Sequence, residues 1–406
     1  LNLLDPELLV LADTHEFPFI LTLFDMEREG IAINQEKMQN LILRNDAKIK
    51  ASTAEIYELT GENFNINSVK QLGSVLFEHL KLPVKKKTKT GYSTDEAVLA
   101  ELIEEHPVIE KLLEYRELYK LQSTYCEPLL NLAKKDADSR IYTNFSQTGT
   151  STGRLSSKNP NLQNIPARGA LAKDVRGCFE AKSGFSFVGL DHSQIELRLL
   201  AHFSRDEALL RAFANDEDIH ARTAISIFGS AEGQKRAVAK SINFGLIYGM
   251  GSSKLAGQVG ITRAEAKEYI ERYFKAFPTI KGFLEGIKTA AKNEGFVRTL
   301  LGRKRLFDFT TATPMQTAMY EREAVNTIFQ GSAADIIKMA MVKIRPLLSP
   351  RARMLLQIHD ELIFEVQDGY AEEFGAAAQK IMQEIYKLNV PLKTSLNVAK
   401  DWGELK

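Results

Sequence analysis

From Ile31 to Leu80 the apolar residues Leu41, Ile42, Ile49, Ile56 and Leu59 recur at roughly helical spacing among many charges, which predicts a mostly helical stretch. Pro83 to Ser93 interrupts it with a Lys-rich, Gly-containing loop, and Asp95 to Ala133 predicts a second helical run. Long charged helices with a basic tip make a projecting element rather than a compact core. The pattern shifts near Ile141. From there to Ile165 the chain is short-period, polar and punctuated by Gly149, Gly153 and Asn159-Pro160, which reads as strands and turns. Phe185 to Leu190 predicts a buried strand running into Asp191, followed by a helix-period stretch from Gln194 to Phe203. Residues 206–300 read as almost wholly helical. Met354–Ile358 and Leu362–Val366 are β-favouring runs separated by His359-Asp360-Glu361, a hairpin signal. Strands, a helical insertion and strands again imply an α+β fold in which one domain interrupts another.

Composition adds limits. A chain of 406 residues, 44% hydrophobic and 26% charged, has room for two or three domains and a sizeable core. No stretch reaches the roughly 18 apolar residues of a membrane span, and Leu1–Val10 lacks the basic start and cleavage site of a signal peptide. Cys126 and Cys178 sit in neither metal nor redox spacing and read as idle buried thiols in a reducing cytoplasm. The net charge of +1 argues nothing about nucleic acid. Its distribution offers two basic clusters, Lys85, Lys86, Lys87 and Lys89, and Arg298, Arg303, Lys304 and Arg305. Either could contact phosphates, although charge alone favours solvated loops.

Candidate chemistry centres on Asp191, at a strand end, and Asp360, at a hairpin tip. Carboxylates so placed converge where two strands of a sheet lie side by side. Mg²⁺ favours one or two protein carboxylates, with phosphate oxygens and waters completing its shell. Taken singly, each aspartate is more simply a turn or capping residue. Between Gln234 and Met250, Arg236, Lys240, Phe244 and Tyr248 are spaced four apart and share one broad helix face. Cations followed by aromatics suit a nucleoside triphosphate, whereas a structural amphipathic helix segregates the two kinds. Gly245, Gly249 and Gly251 weaken the end of that helix.

These residues carry a resemblance. Asp191-His-Ser-Gln-Ile-Glu-Leu-Arg198 resembles the first palm motif of family-A DNA polymerases, and Gln357-Ile-His-Asp-Glu361 their last. Arg236 to Tyr248 is similar to their nucleotide-binding fingers helix. Thr152-Gly-Arg-Leu155 with Asn161–Pro166 resembles their primer-side segment, and Arg322, Asn326, Gln330 and Gly331 a DNA-contacting helix. The motifs stand in the family's order across residues 140–400. The resemblance implies a right-hand architecture with an antiparallel-sheet palm, helical fingers and a helical thumb. Its implied divisions are 1–30 as a remnant or linker of an upstream domain, 31–135 thumb, 136–205 first palm part, 206–308 fingers and 309–406 second palm part.

The same resemblance implies roles. Asp191, Asp360 and the backbone carbonyl of His192 would hold two Mg²⁺ ions, for which Mn²⁺ substitutes, with Glu361 as an auxiliary carboxylate. Arg236 and Lys240 would grip the triphosphate, and Lys240 would protonate the departing pyrophosphate. Phe244 would pack on the sugar and Tyr248 near the templating position. Glu196 would exclude a 2′-hydroxyl, and His220 would lie on the phosphate side. Arg154, Arg322, Asn326, Gln330 and His359 would contact primer-template DNA, largely through minor-groove acceptors common to all base pairs. His192 stands where the family usually has tyrosine, which a backbone-carbonyl role tolerates. The implied partners are primer-template DNA and deoxynucleoside triphosphates, with a monomeric, cytoplasmic and nucleoid-associated enzyme of repair and gap filling. At 406 residues the chain is too short for the nuclease domains that many family members carry upstream, so no nuclease activity is expected. Two other readings are a single-subunit RNA polymerase, which Glu196 argues against, and a non-catalytic DNA-binding scaffold, which the intact Asp191, Asp360, Arg236 and Lys240 argue against.

Overall fold

The computed structural model describes residues 5–89, 91–167 and 169–405. The apolar runs around Asp191 and Asp360 become a single antiparallel sheet of four strands, β1 (Phe185–His192), β2 (Ala352–Ile358), β3 (Glu361–Gln367) and β4 (Thr394–Ala399). Their spatial order is β2-β3-β1-β4, so β1 and β3 are central. Phe187, Val188 and Leu190 on β1, and Leu362, Ile363, Phe364 and Val366 on β3, are all buried, because helices cover the sheet. Ala371–Glu384 lies against β1 and β4, and Phe17–Glu29 against β2. The predicted hairpin is present in this register, with Ile358 opposite Glu361 and only His359 and Asp360 in the turn.

Three hydrophobic clusters organise the described residues. One lies under the sheet and includes Phe179, Phe364, Phe374 and Trp402. A second unites the helices between residues 207 and 294 around Tyr273, Phe277 and Ile280. The third, around Ile56, Leu76, Leu99 and Leu112, sits where helix Gln35–Thr60 packs along Val108–Leu121. Asn34 starts that long helix by accepting from Lys37 N at 2.9 Å, and Gly61 ends it in a left-handed conformation. Helix Ile195–Ser204, which follows β1, packs its Leu197, Leu199 and Leu200 into the second cluster and so joins sheet to insertion.

Two expectations change. Residues 1–30 are expected to be a linker or remnant, but within the described part Phe17–Glu29 is a helix whose Phe19, Leu23 and Met26 are buried in the cluster under the sheet. It is core structure. The basic cluster at Arg298, Arg303, Lys304 and Arg305 is no open phosphate patch, because each cation pairs with a carboxylate of the protein. Arg298 meets Asp5 at 3.0 Å and Glu7 at 2.8 Å, Arg303 meets Asp335 at 3.0 Å, Lys304 meets Asp5 at 3.7 Å, and Arg305 pairs with Glu323. The Lys-rich loop closes as a small hairpin, Lys87–Thr88 against Gly91–Tyr92, and Lys85, Lys87 and Lys89 stay exposed. Cys126 and Cys178 are buried, which pushes both thiols up to about 12 and leaves them inert, as their spacing suggests.

Candidate active site

Asp191 emerges at the end of β1 with its Cα directly opposite that of Glu361 on β3. Directly opposed residues of an antiparallel pair share a sheet face. The Glu361 carboxylate follows that face, its Oε1 3.4 Å from where a Cβ on Gly189 would stand. Asp360 comes one residue earlier, in the two-residue turn, and its carbonyl accepts from His192 N at 3.1 Å. That bond fixes the turn against the end of β1 and brings the two aspartates to the same spot. His359 holds the turn at φ 55°, an uncommon conformation for a residue with a side chain.

Electrostatics single out Asp360. Burial, then the charges of Glu196 and Asp191, raise its carboxyl to about 7 against the opposing pull of Arg154. Its Oδ1 is buried without a hydrogen-bond partner among the described residues, and the Arg154 guanidinium stands 3.9 Å away. A buried, under-satisfied oxygen beside a second carboxylate is the donor set a hard divalent cation requires. No group of three acidic, histidine or cysteine side chains among the described residues could enclose an ion alone. The chemistry therefore fits an ion that takes two protein carboxylates and fills its remaining positions from phosphate and water. His192 is buried, with Nδ1 3.3 Å from Thr394 Oγ1, and burial lowers its imidazole to about 4. Its side chain belongs to the strand packing.

Around this pair lies a second set of contacts. Glu196, on the first turn of helix Ile195–Ser204, is buried. It accepts from Arg154 Nη2 at 2.9 Å and from the Tyr248 hydroxyl. Burial and then Glu196 push the Tyr248 phenol up, so it remains a donor. One carboxylate thus ties together the primer-side segment, the helix after β1 and the end of helix Lys235–Ile247.

That helix carries Arg236 and Lys240 exposed on its surface and Phe244 half-buried beside His220, with ring centroids 5.7 Å apart. Arg236 Nε meets Asp218 Oδ2 at 2.7 Å, and Asp218 also caps helix Ile219–Phe228 through the His220 and Ala221 amides. His220 is buried, and burial, with Lys240 and Arg236 opposing protonation, lowers its imidazole to about 4. Asn243 Nδ2 stands 3.0 Å from His220 Nδ1, and Thr223 Oγ1, whose hydroxyl donates to the Ile219 carbonyl at 2.7 Å, stands 3.1 Å from Asn243 Oδ1.

Arg322, Asn326 and Gln330 stand four apart on the helical run that begins at Pro314 and widens over Thr327–Gly331. Arg322 is exposed, and the Asn326 Oδ1 is buried without a partner among the described residues. At Gly249 φ is +67°, and a Cβ would fall 2.8 Å from Arg322 Cγ, so only glycine lets the insertion helix end against this element. Among the expected residues, Arg154, Glu196, Tyr248 and Asp360 are thus joined by contacts at the sheet ends, while Arg236, Phe244 and His220 form a second group on the insertion. Three that sequence reasoning overlooked are Asp218, Asn243 and Gln163. Gln163 Nε2 donates to Gln357 O at 2.9 Å and steadies the strand leading to Asp360. Asn243 could have been noticed, because it is polar on the buried stripe of Ala239, Ile242 and Leu246.

Comparison with known proteins follows the same lines. Residues 35–404 match the model of "DNA polymerase family A". The chain is 47% identical over 408 residues to DNA polymerase I of Helicobacter pylori strain J99, covering 99% of this chain and 45% of that protein. It is 43% identical over 410 residues to the thermostable DNA polymerase I of Thermus thermophilus, covering 99% of this chain and 49% of the relative. The chain thus spans about half the length of these relatives. Among solved structures it resembles the POL domain of Pol1 from M. smegmatis in complex with DNA primer-template and dNTP. That likeness has a TM-score of 0.91 at 37% identity over 97% of this chain and 70% of the other.

Proposed function

The chain belongs to DNA polymerase family A, and on that premise we propose that it extends a primer 3′-hydroxyl with deoxynucleoside triphosphates, copying a DNA template and releasing pyrophosphate. The observation that carries the reading is that Asp191, at the end of β1, and Asp360, in the turn before β3, stand at neighbouring strand ends, with Asp360 Oδ1 buried and without a hydrogen-bond partner among the described residues. The M. smegmatis relative, whose fold this chain shares, was solved with primer-template and dNTP, which supports the same partners here.

Asp191, Asp360 and the His192 carbonyl would hold two Mg²⁺ ions, with Mn²⁺ as a substitute and Glu361 alongside. When bound, such a pair supplies activation of the attacking hydroxyl and charge stabilisation of the leaving oxygen. The side chains do the positioning, which is most of the catalysis in phosphoryl transfer. Arg236 and Lys240 face the triphosphate, and Lys240 gives a proton to the departing pyrophosphate. Because Arg236 is paired with Asp218, an incoming triphosphate must replace one anion with another of higher charge. Neutral His220 offers a ring N–H to a phosphate oxygen without adding charge. Phe244 packs on the sugar, and Glu196, braced by Arg154 and Tyr248, occupies the space of a 2′-hydroxyl. Arg154, Arg322, Asn326, Gln330 and His359 contact the primer terminus and template. Closure of helix Lys235–Ile247 would complete the cleft around a matching nucleotide.

We place this activity in repair and gap filling by a monomer at the nucleoid, and assign no nuclease step to the matched residues. No described helix is long and apolar enough to cross a membrane. Primer extension with Mg²⁺ on a defined template tests the reading. Template-directed addition of deoxynucleotides is expected, and binding of primer-template without any extension would leave only a DNA-binding scaffold.

A further inference from the structure

Glu16 lies outside the matched span of 35–404, on the helical segment leading into Phe17–Glu29. Its carboxylate is a meeting point of three elements. Lys338 Nζ donates to Oε1 at 3.0 Å and to Oε2 at 3.2 Å, Arg303 Nη2 pairs with Oε1, and Gln147 Nε2 donates to Oε2 at 2.7 Å. The Gln147 amide also reaches the Glu16 backbone carbonyl at 3.0 Å. Asp335, whose side chain is fully buried, balances the cations by accepting from Arg303 Nε at 3.1 Å and from the Thr299 hydroxyl. Two acids and two bases form a neutral set. Buried charges of this kind are costly to unpair, so removing one member displaces the others.

The set borders the proposed active cleft. Gly153 has φ +80°, and a Cβ there would fall 2.5 Å from Arg303 Nε, so the guanidinium fills the side-chain space next to Arg154. Thr150 Oγ1 closes the same turn on the Arg154 carbonyl at 2.7 Å. At the other end Lys338 lines a cavity of about 10 Å³ together with Arg154, His359 and Asp360. Loop 147–154 is therefore held at its start by Gln147 on Glu16 and at its end by Arg303 on Gly153.

We infer that Glu16 is a positioning residue for the primer terminus, setting loop 147–154 so that Arg154 reaches Glu196 and the minor-groove face of the terminal pair. It touches no reacting atom and acts through Gln147 and Arg303. The inference rests on the polymerase reading above. A merely structural role would affect stability alone, whereas a positioning role also changes how firmly the terminus is held.

The test compares Glu16→Gln, Glu16→Asp and Gln147→Ala with Glu365→Gln, which weakens a buried pair with Arg140 (3.2 Å) within the sheet core, away from the cleft. Each is assayed for thermal stability, for kcat and for KM with matched and mismatched primer-template. Gln147→Ala leaves the four charges intact and is the decisive variant where Glu16→Gln does not fold. Glu16→Gln and Gln147→Ala are expected to raise the primer-template KM and lower the matched-to-mismatched preference by roughly tenfold, below the roughly hundredfold that a full ångström of misplacement can cost. Their kcat on matched primers should stay within about twofold, Glu16→Asp should recover part of the loss, and Glu365→Gln should change stability only. Wild-type KM and preference in Gln147→Ala overturn the inference while the polymerase reading stands. A wild-type protein that extends no primer overturns both.

Discussion

Buried Glu196 makes two bonds, one to the Arg154 guanidinium and one to the Tyr248 phenol. Held from both sides, its carboxylate is fixed in place, which suits the steric exclusion proposed for it. Glu196→Ala is expected to raise ribonucleotide relative to deoxynucleotide incorporation by about tenfold or more, equivalent to ~1.4 kcal/mol of lost discrimination. Competition assays measure the ratio, and an unchanged value removes Glu196 from sugar selection. His220 illustrates a different residue-scale effect. Its folded imidazole sits at about 4, against an ordinary value of 6.5. Between those values the unfolded chain binds the extra proton, so stability rises with pH across the window. The contribution is complete above about 6.5 and is lost as pH falls toward 4. Lowering the pH from 7 to 5 should cost about 2 kcal/mol through this group. Denaturation at both pH values should show a smaller loss in His220→Gln, and equal losses would contradict the assignment.

At the scale of elements, three strands of the sheet and its hairpin were plain in the sequence because β1, β2 and β3 are short apolar runs ending in polar turns, whereas β4, largely exposed along its length, gave no such run. The exposed cations of helix Lys235–Ile247 were equally plain, since their four-residue spacing is local. Helix Phe17–Glu29 was not. Its Phe19, Leu23 and Met26 are buried while Phe17, Ile20, Leu21 and Phe24 are exposed, so it is apolar on both sides and shows no readable stripe. Phe19→Ala should cost about 3–5 kcal/mol, the usual range for an aromatic deleted from a core. Chemical denaturation measures it, and a cost below about 1 kcal/mol would return this helix to the status of a linker.

At the scale of the molecule, three hydrophobic clusters among the described residues set the sheet against the insertion, with helix Ile195–Ser204 joining them. The resemblance supplied the family, because its motifs are contiguous stretches of chain. It could not supply the contacts across elements. Glu16 and Lys338 are 322 positions apart, and Arg236 meets Asp218 only because two helices pack side by side. The basic cluster at 298–305 misleads for the same reason, since its neutralising partners Asp5, Glu7, Glu16, Glu323 and Asp335 lie elsewhere in the sequence. Charge read along a chain does not reveal its counter-charge in space.

Asp360, whose Oδ1 is buried without a hydrogen-bond partner among the described residues, is the residue on which the proposed chemistry turns. Asp360→Asn keeps the shape and removes the charge. Primer extension and primer-template affinity, measured together with Mg²⁺, test this directly. Extension should fall by about three orders of magnitude or more while affinity stays within about threefold. Extension within tenfold of the wild-type rate would contradict the central claim.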